Sequence, residues 1–391
     1  MNAESFAILR LTLVHGLGPV GIRRLIEAFG SAQAALGASP ALIHQATRCG
    51  KNRSSGIAQG IRESEDLAKA ELDLACKLGV SILTRADEGF PELLAPLPDA
   101  PVLLYVRGRL DAKADRYPIA MVGSRHCSQY GLEQAARFAS VLAASGLTVV
   151  SGGARGIDSS AHRGALAAPG RTIAVLGCGL AHCYPEENAG LFSQIAEAGA
   201  VISELPLNVA PKPENFPARN RIISGLSLGV LVIEAGERSG ALITARLAAE
   251  DHGREVMALP GRVDSTTCRG SLRLLRDGGA SIVLEPGDVL SLLETPGRHA
   301  HAGTHASRYS GARVEAQDES QSLFGRAPNG EQGTIAERVL AALIEPKTVD
   351  ELSRETGVEA GSLRATLTVL EIQRAVIREG SRLVRVRGNT R

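Results

Sequence analysis

The residues best suited to chemistry fall in five short segments of the middle of the chain. These are Gly123-Ser124-Arg125-His126, Gly152-Gly153-Ala154-Arg155-Gly156-Ile157-Asp158, Gly177-Cys178-Gly179, Phe216-Pro217-Ala218-Arg219-Asn220-Arg221 and Glu234-Ala235-Gly236-Glu237-Arg238-Ser239-Gly240. Glycine lets backbone amides approach an anion closely, and a loop that runs into a helix presents a terminus that favours negative charge. Four of the five segments add arginine, which stays ionised and can hold phosphate oxygens in a fork. One such loop is an ordinary tight turn. A row carrying Arg125, Arg155, Arg219, Arg221 and Arg238 points to several phosphates in succession, and so to a polymer. Asp158, Glu204, Glu234 and Glu237 are the acids that could pair with one or two of these arginines and brace the loops instead.

Other chemistries lack their residues. The dinucleotide fingerprint G-x-G-x-x-G is missing where the first loop reads Gly123-Ser124-Arg125-His126-Cys127-Ser128, and no Walker A or G-x-S-x-G motif occurs. Ser151, Asp158 and His162 lie too close along one strand, loop and helix to read as a triad; the spacing of Asp158 and His162 is that of a helix-surface pair. Cys178, His182 and Cys183 match no common metal-ligand spacing, so neither a metal nor a cofactor is expected. The six cysteines form no CxxC pair and read as cytosolic thiols. A net charge of +1 excludes a protein that coats nucleic acid by overall basicity, and 3% aromatics with no Trp exclude a broad base-stacking platform. Any nucleic acid is therefore gripped mainly by its backbone.

The elements that must position these loops follow from the hydrophobic pattern. From Pro118, short apolar strands alternate with amphipathic helices: Ile119–Val122, Thr148–Ser151, Thr172–Leu176, Ala200–Ser203, Gly229–Ile233, Val256–Leu259 and Ser281–Leu284. This predicts an α/β domain over residues 111–292, a Rossmann-like, doubly wound, mostly parallel sheet whose five loops share its carboxyl edge. Residues 1–110 read as a helical domain with a helix-hairpin-helix-like turn at Gly16-Leu17-Gly18-Pro19-Val20-Gly21, ending in a strand near Val102–Val106. Residues 293–332 are polar, Gly- and His-bearing and aperiodic, as a flexible linker is. Residues 333–391 read as three helices and a hairpin, a winged helix, with a capping box at Thr348–Glu351 and a basic wing bearing Arg374, Arg378, Arg382, Arg385, Arg387 and Arg391. No run is apolar enough to span a bilayer and the N-terminus lacks an export signal, so a cytoplasmic protein is expected.

In order, Gly123-Ser124-Arg125, Ser151–Asp158 with Ala161-His162, Thr172–Gly179, Tyr184-Pro185, Ser203–Pro206, Phe216–Gly225, Glu234-Ala235, Ser239–Thr244 and Leu259-Pro260-Gly261 resemble the DprA/Smf (DNA-processing protein A) family. The flanking domains resemble it too, as a SAM-like helical domain before the core and a winged helix after it. The resemblance implies a homodimeric, non-enzymatic protein that binds and protects single-stranded DNA and hands it to the RecA recombinase in natural transformation. The DNA-binding set it implies is Gly123, Ser124, Arg125, Gly153, Arg155, Phe216, Pro217, Arg219, Asn220, Arg221, Ser239 and Gly240. Gly270-Ser271-Leu272 and the acidic Glu186-Glu187 depart from the family pattern, at the outer edge of the DNA path. The competing reading is a nucleotide N-glycosidase of the lysine-decarboxylase-like group, which Gly152-Gly153 through Asp158 superficially resembles. Its catalytic Thr and Glu are replaced here by Ile157, Asp158 and Ser159.

Overall fold

The computed structural model describes residues 1–301 apart from 169, then 335–343, 345, 347–358, 363, 367, 376–379 and 382–385. The chain divides into two compact units, Met1–Val314 and Glu315–Arg391.

The first unit opens with helices α1 (Ala3–Thr12), α2 (Pro19–Phe29), α3 (Ala32–Ala35), α4 (Pro40–Thr47) and the long α5 (Lys51–Lys77). Strand β1 (Val80–Thr84) and β2 (Leu103–Gly108) follow, then β3 (Pro118–Val122), α6 (Gln129–Ala144), β4 (Thr148–Ser151), α7 (Ile157–Ala167) and β5 (Thr172–Val175). Next come α8 (Ala189–Ala198), β6 (Ala200–Ser203), α9 (Asn215–Gly225), β7 (Gly229–Val232) and α10 (Gly240–Arg246), which continues as a wider turn over Leu247–Asp251. The unit closes with β8 (Glu255–Ala258), α11 (Arg269–Arg276), β9 (Ser281–Ile282) and α12 (Pro286–His301).

All nine strands form one sheet in the order β1-β2-β6-β5-β4-β3-β7-β8-β9. From β6 to β9 every neighbouring pair is parallel; β2 joins antiparallel to β6, and β1 antiparallel to β2. Successive side chains of a strand face opposite sides, and here both sides are apolar. Ile119 and Met121 of β3 meet Phe138 of α6 and Ile157 of α7, with Val289 and Leu293 of α12 in the same cluster. Ala120 and Val122 point the other way, into a cluster with Ile222 and Ile223 of α9 and Ala241 and Ala245 of α10. Helices on both faces force every βα loop to one edge. The loops diverge between β3 and β7, the point in a doubly wound sheet where ligands sit.

Two boundaries differ from the sequence-based expectation. Residues 80–108 belong to the sheet and not to a separate helical domain: Val80, Leu103 and Tyr105 share a core with α1–α5 and with Phe192 and Ile195 of α8. The hydroxyl of Ser5 meets that of Thr84 at 3.1 Å, and the amide of Leu207 donates to Glu71 at 2.7 Å, so helices and sheet are stitched by polar contacts as well. At the other end, helix α12 continues to His301 through Pro296 and Gly297, where the breaker residues suggest a linker. Its first turns are anchored under the sheet by the buried Val289 and Leu293. The rest of the expected linker, 302–332, lies outside the described residues.

In the second unit, helices Ile335–Ala342 and Val349–Thr356 and an antiparallel hairpin of Val376–Glu379 with Arg382–Arg385 surround Val339, Leu343, Leu352, Leu363, Leu367 and Val376. The capping box is present: Glu351 N donates to Thr348 Oγ1 at 3.3 Å and Thr348 N to the Glu351 carboxylate at 2.8 Å. The side chains of the basic wing lie outside the described residues. Among the described residues no helix is long and apolar enough to cross a membrane.

Candidate nucleic-acid interface

At the carboxyl edge the loops after β3, β4 and β7 are locked to one another before any ligand is considered. The amide of Ser124 donates to the carbonyl of Glu234 at 2.8 Å, and the amide of Gly236 to Ser124 Oγ at 3.3 Å. The Glu234 carboxylate, 2% exposed, takes the amide of Ser128 at 2.8 Å and its hydroxyl at 2.5 Å. Ser128 in turn caps α6 by accepting the Gly131 amide. Glu234 therefore sets the course of the first loop and is not an arginine partner. Gly156, at φ +76°, brings the second loop against the first: a Cβ there would lie 2.5 Å from the Ser124 carbonyl oxygen. Only glycine fits such a position without strain.

Between these loops and α9–α10 lies a cleft of about 600 Å³, lined among others by Gly123, Ser124, Arg125, Phe216, Pro217, Arg219, Asn220, Arg238, Ser239 and Gly240. That is the size range of a small-ligand or single-residue pocket. A smaller recess adjoins it over β4 and β5, lined by Arg125, Gly152, Arg155, Gly177, Tyr184, Phe216 and Arg219. Arg125 and Phe216 line both and form the wall between them, the guanidinium carbon 5.1 Å from the ring centre. Tyr184 continues the stack, its ring 5.5 Å from that of Phe216 and tilted by 43°. Gly153 lies buried beneath the second loop, its carbonyl accepting the Asn188 side-chain amide at 3.0 Å.

The five arginines separate into three kinds. Arg125 and Arg238 are exposed and have no carboxylate within ion-pair reach among the described residues. Arg155 is exposed but clamped by Glu187, and Arg221 is largely buried against Glu204. Arg219 is only 5% exposed. Its guanidinium donates to the Gly152 carbonyl at 2.6 Å and to that of Val175, with the Asp158 carboxylate beside it. Burial pulls the Arg219 pKa down to about 10, which Asp158 opposes, so the charge persists at neutral pH. Burial also raises Asp158, with Arg219 opposing. Arg219 and Arg221 thus already hold acids and carbonyls from distant segments, while Arg219 Nε and Arg221 Nη1 are buried without a hydrogen-bond partner among the described residues. Asn220 donates to the Gly240 carbonyl at 3.3 Å and joins α9 to α10.

One further reading changes. Asp158 and His162 are not a helix-surface pair, since both are buried on the inner face of α7. His162 Nδ1 meets Thr172 Oγ1 at 2.7 Å, while Ser151 Oγ donates to the Met121 carbonyl at 2.7 Å, so the three groups form no relay. Cys178, His182 and Cys183 do not converge either: the Cys178 thiol is buried and pushed up to about 11, and His182 Nε2 faces the Asn208 carbonyl. Glu234 braces the first loop where the sequence suggests an arginine partner, Tyr184 adds a ring beside Phe216, and Ser128, which joins Glu234 to α6, is the residue that sequence reasoning missed at this edge.

The Leu272 departure sits in α11, whose first amides, Gly270 and Ser271, both donate to the Ala235 carbonyl, at 2.8 and 3.0 Å. That segment braces the loop carrying Arg238.

Known proteins resemble this chain in sequence and fold. The family model for DNA recombination-mediator protein A matches residues 81–294, a DprA-like N-terminal HHH domain matches 2–59, and a DprA winged helix domain matches 326–380. Protein Smf of Synechocystis is 33% identical over 97% of this chain and 98% of its own length. Protein Smf of Escherichia coli is 48% identical over 54% of this chain and 56% of its own. The X-ray structure of DNA processing protein A from Streptococcus pneumoniae superimposes with a TM-score of 0.66 at 34% identity, covering 74% of this chain and 98% of that one. Matched by these models along most of its length and by a relative over nearly all of it, the chain belongs to the DprA/Smf family.

Proposed function

We propose that the carboxyl edge of the sheet binds single-stranded DNA, mainly through its phosphodiester backbone, and carries out no covalent chemistry on it. The observation that carries this reading is Arg125: an exposed guanidinium without a carboxylate partner, stacked on Phe216 in the wall between two recesses. A fork of N–H donors offered beside two aromatic rings suits a phosphate flanked by unpaired bases, because bases free of a duplex can stack. Arg238 extends the positive edge along the loop after β7. Gly123, Ser124, Ser239 and Gly240 line the same cleft, the two serine hydroxyls 3.4 Å apart. Membership in a family whose relatives are named DNA-processing proteins supports DNA as the polymer.

In this reading the bound strand is protected from degradation during transformation or recombination. The chain acts as a homodimer in the cytoplasm and passes the strand to the RecA recombinase. A gel shift comparing single- and double-stranded oligonucleotides of equal length, with wild-type protein and Arg125→Ala, tests the core of it. Preference for the single strand that falls on substitution is expected. Equal affinity for the duplex, or an Arg125→Ala shift like that of wild type, would overturn the assignment. Co-sedimentation of RecA with the protein-bound strand tests the handover.

A further inference from the structure

Resting on that reading, we propose that Glu187 is a built-in competitor for backbone phosphate: its carboxylate occupies the Arg155 fork, and a strand crossing the smaller recess must displace it. Arg155 lines that recess beside Arg125 and Arg219. Its Nε and Nη2 both donate to the Glu187 carboxylate, the second at 2.7 Å, which is the two-point geometry a phosphate would take. The acid is not there by the chance meeting of two long side chains. Its neighbour Asn188, 1% exposed, donates to the Gly153 carbonyl at 3.0 Å and to Ser159 Oγ at 2.8 Å, pinning the short 3-10 turn Glu186–Asn188 to the arginine loop. The pair itself remains open, with Arg155 55% and Glu187 52% exposed. An exposed pair is weak and screened, so a phosphate can exchange for the carboxylate. The pair already neutralises the arginine, and such an exchange releases fewer counterions than binding at a bare guanidinium. The consequence is a strand held firmly at Arg125 and loosely at Arg155, with Glu187 setting how far the grip extends over β4 and β5.

The test is a salt titration of oligo-dT affinity with the full chain as wild type, Glu187→Gln, Arg155→Ala/Glu187→Gln and, in parallel, Arg125→Ala, each checked for folding by circular dichroism. Glu187→Gln should bind about three- to tenfold tighter at low salt. Its log-log salt slope should steepen by about 0.7, one more phosphate on a single strand. The double variant should lose that gain. Wild-type affinity and slope in Glu187→Gln, or a gain retained in the double variant, would overturn the proposal. If Arg125→Ala weakens binding while Glu187→Gln changes nothing, the masking idea alone falls. If neither variant changes affinity, the reading of the site falls with it.

Discussion

The guanidinium of Arg125 lies over the ring of Phe216, 5.1 Å from its centre, and joins the loop after β3 to the start of α9. Arg125→Ala should weaken binding to all sequences similarly, since phosphate contacts position a strand without reading its bases. The log-log salt slope should fall by about 0.7. Arg125→Lys should recover the slope but only part of the affinity, because an ammonium neither forks nor stacks as a guanidinium does. Phe216→Leu should do the reverse, keeping the slope and losing about tenfold in affinity. Oligo-dT titrations from low to moderate salt separate the three.

Arg219 should act on stability before it acts on binding. Removing its side chain takes a hydrogen-bond donor from the carbonyls of Gly152 and Val175 and the opposing charge from the buried carboxylate of Asp158. Each buried polar group left unpaired costs about 1–3 kcal/mol. Arg219→Ala should therefore lower the urea midpoint clearly, and Gly152→Ala should do so too, since its Cβ would meet the Arg219 and Asp158 side chains at 2.7 Å. An Arg219→Ala protein as stable as wild type but deficient in DNA binding would instead make Arg219 a direct contact.

His162 predicts a pH dependence of folding. Burial, with help from Arg219 and Arg163, depresses its pKa from 6.5 to about 3. The unfolded chain takes up a proton near pH 6.5 that the folded one refuses, so this contribution is fully present above that pH and lost as pH falls toward 3. The loss approaches about 1.4 kcal/mol per pH unit. Urea unfolding between pH 7 and 5 should show the slope in wild type, and His162→Gln should flatten it. Parallel curves for the two proteins would remove His162 from the account.

A chain ended after His301 should keep single-strand binding, because every residue of the proposed site lies in the first compact unit. Duplex affinity that also survives this truncation would show that the basic wing makes no duplex contact. A folded truncated chain without single-strand affinity would move the site to the second unit.

Incubation with nucleoside monophosphates should release no free base. The carboxylate nearest the glycosidase pattern, Asp158, is buried, accepts the Ala154 amide and faces Arg219. Base release detected by chromatography, and abolished in Asp158→Asn, would revive the enzymatic reading.

Much of this protein is legible in its sequence because the signals are local. The apolar runs at 118–122, 148–151, 172–175, 200–203 and 229–232 are strands, and the period of the pattern sends their loops to one edge. Thr348 and Glu351 start their helix by contacts only three residues apart. β1 escaped notice because Val80–Thr84 is a half-exposed edge strand directly after a 27-residue helix, and its place depends on pairing with β2 and packing on α1 and α5. The arginines show the same division. Their types and order name an anion-binding edge, but which of them is free is settled over long separations: Glu187 is 32 residues from Arg155, Glu204 17 from Arg221, and the Gly152 carbonyl 67 from Arg219. A guanidinium pairs with whatever acceptor the fold carries within about 4 Å, and that is fixed by packing and not by neighbours in the chain. The sequence alone determined the fold class and the residue types along the edge; the tertiary structure decided that Arg125 and Arg238 are exposed, that Arg155 is paired with Glu187, and that Arg219 and Arg221 are buried against protein carbonyls and acids.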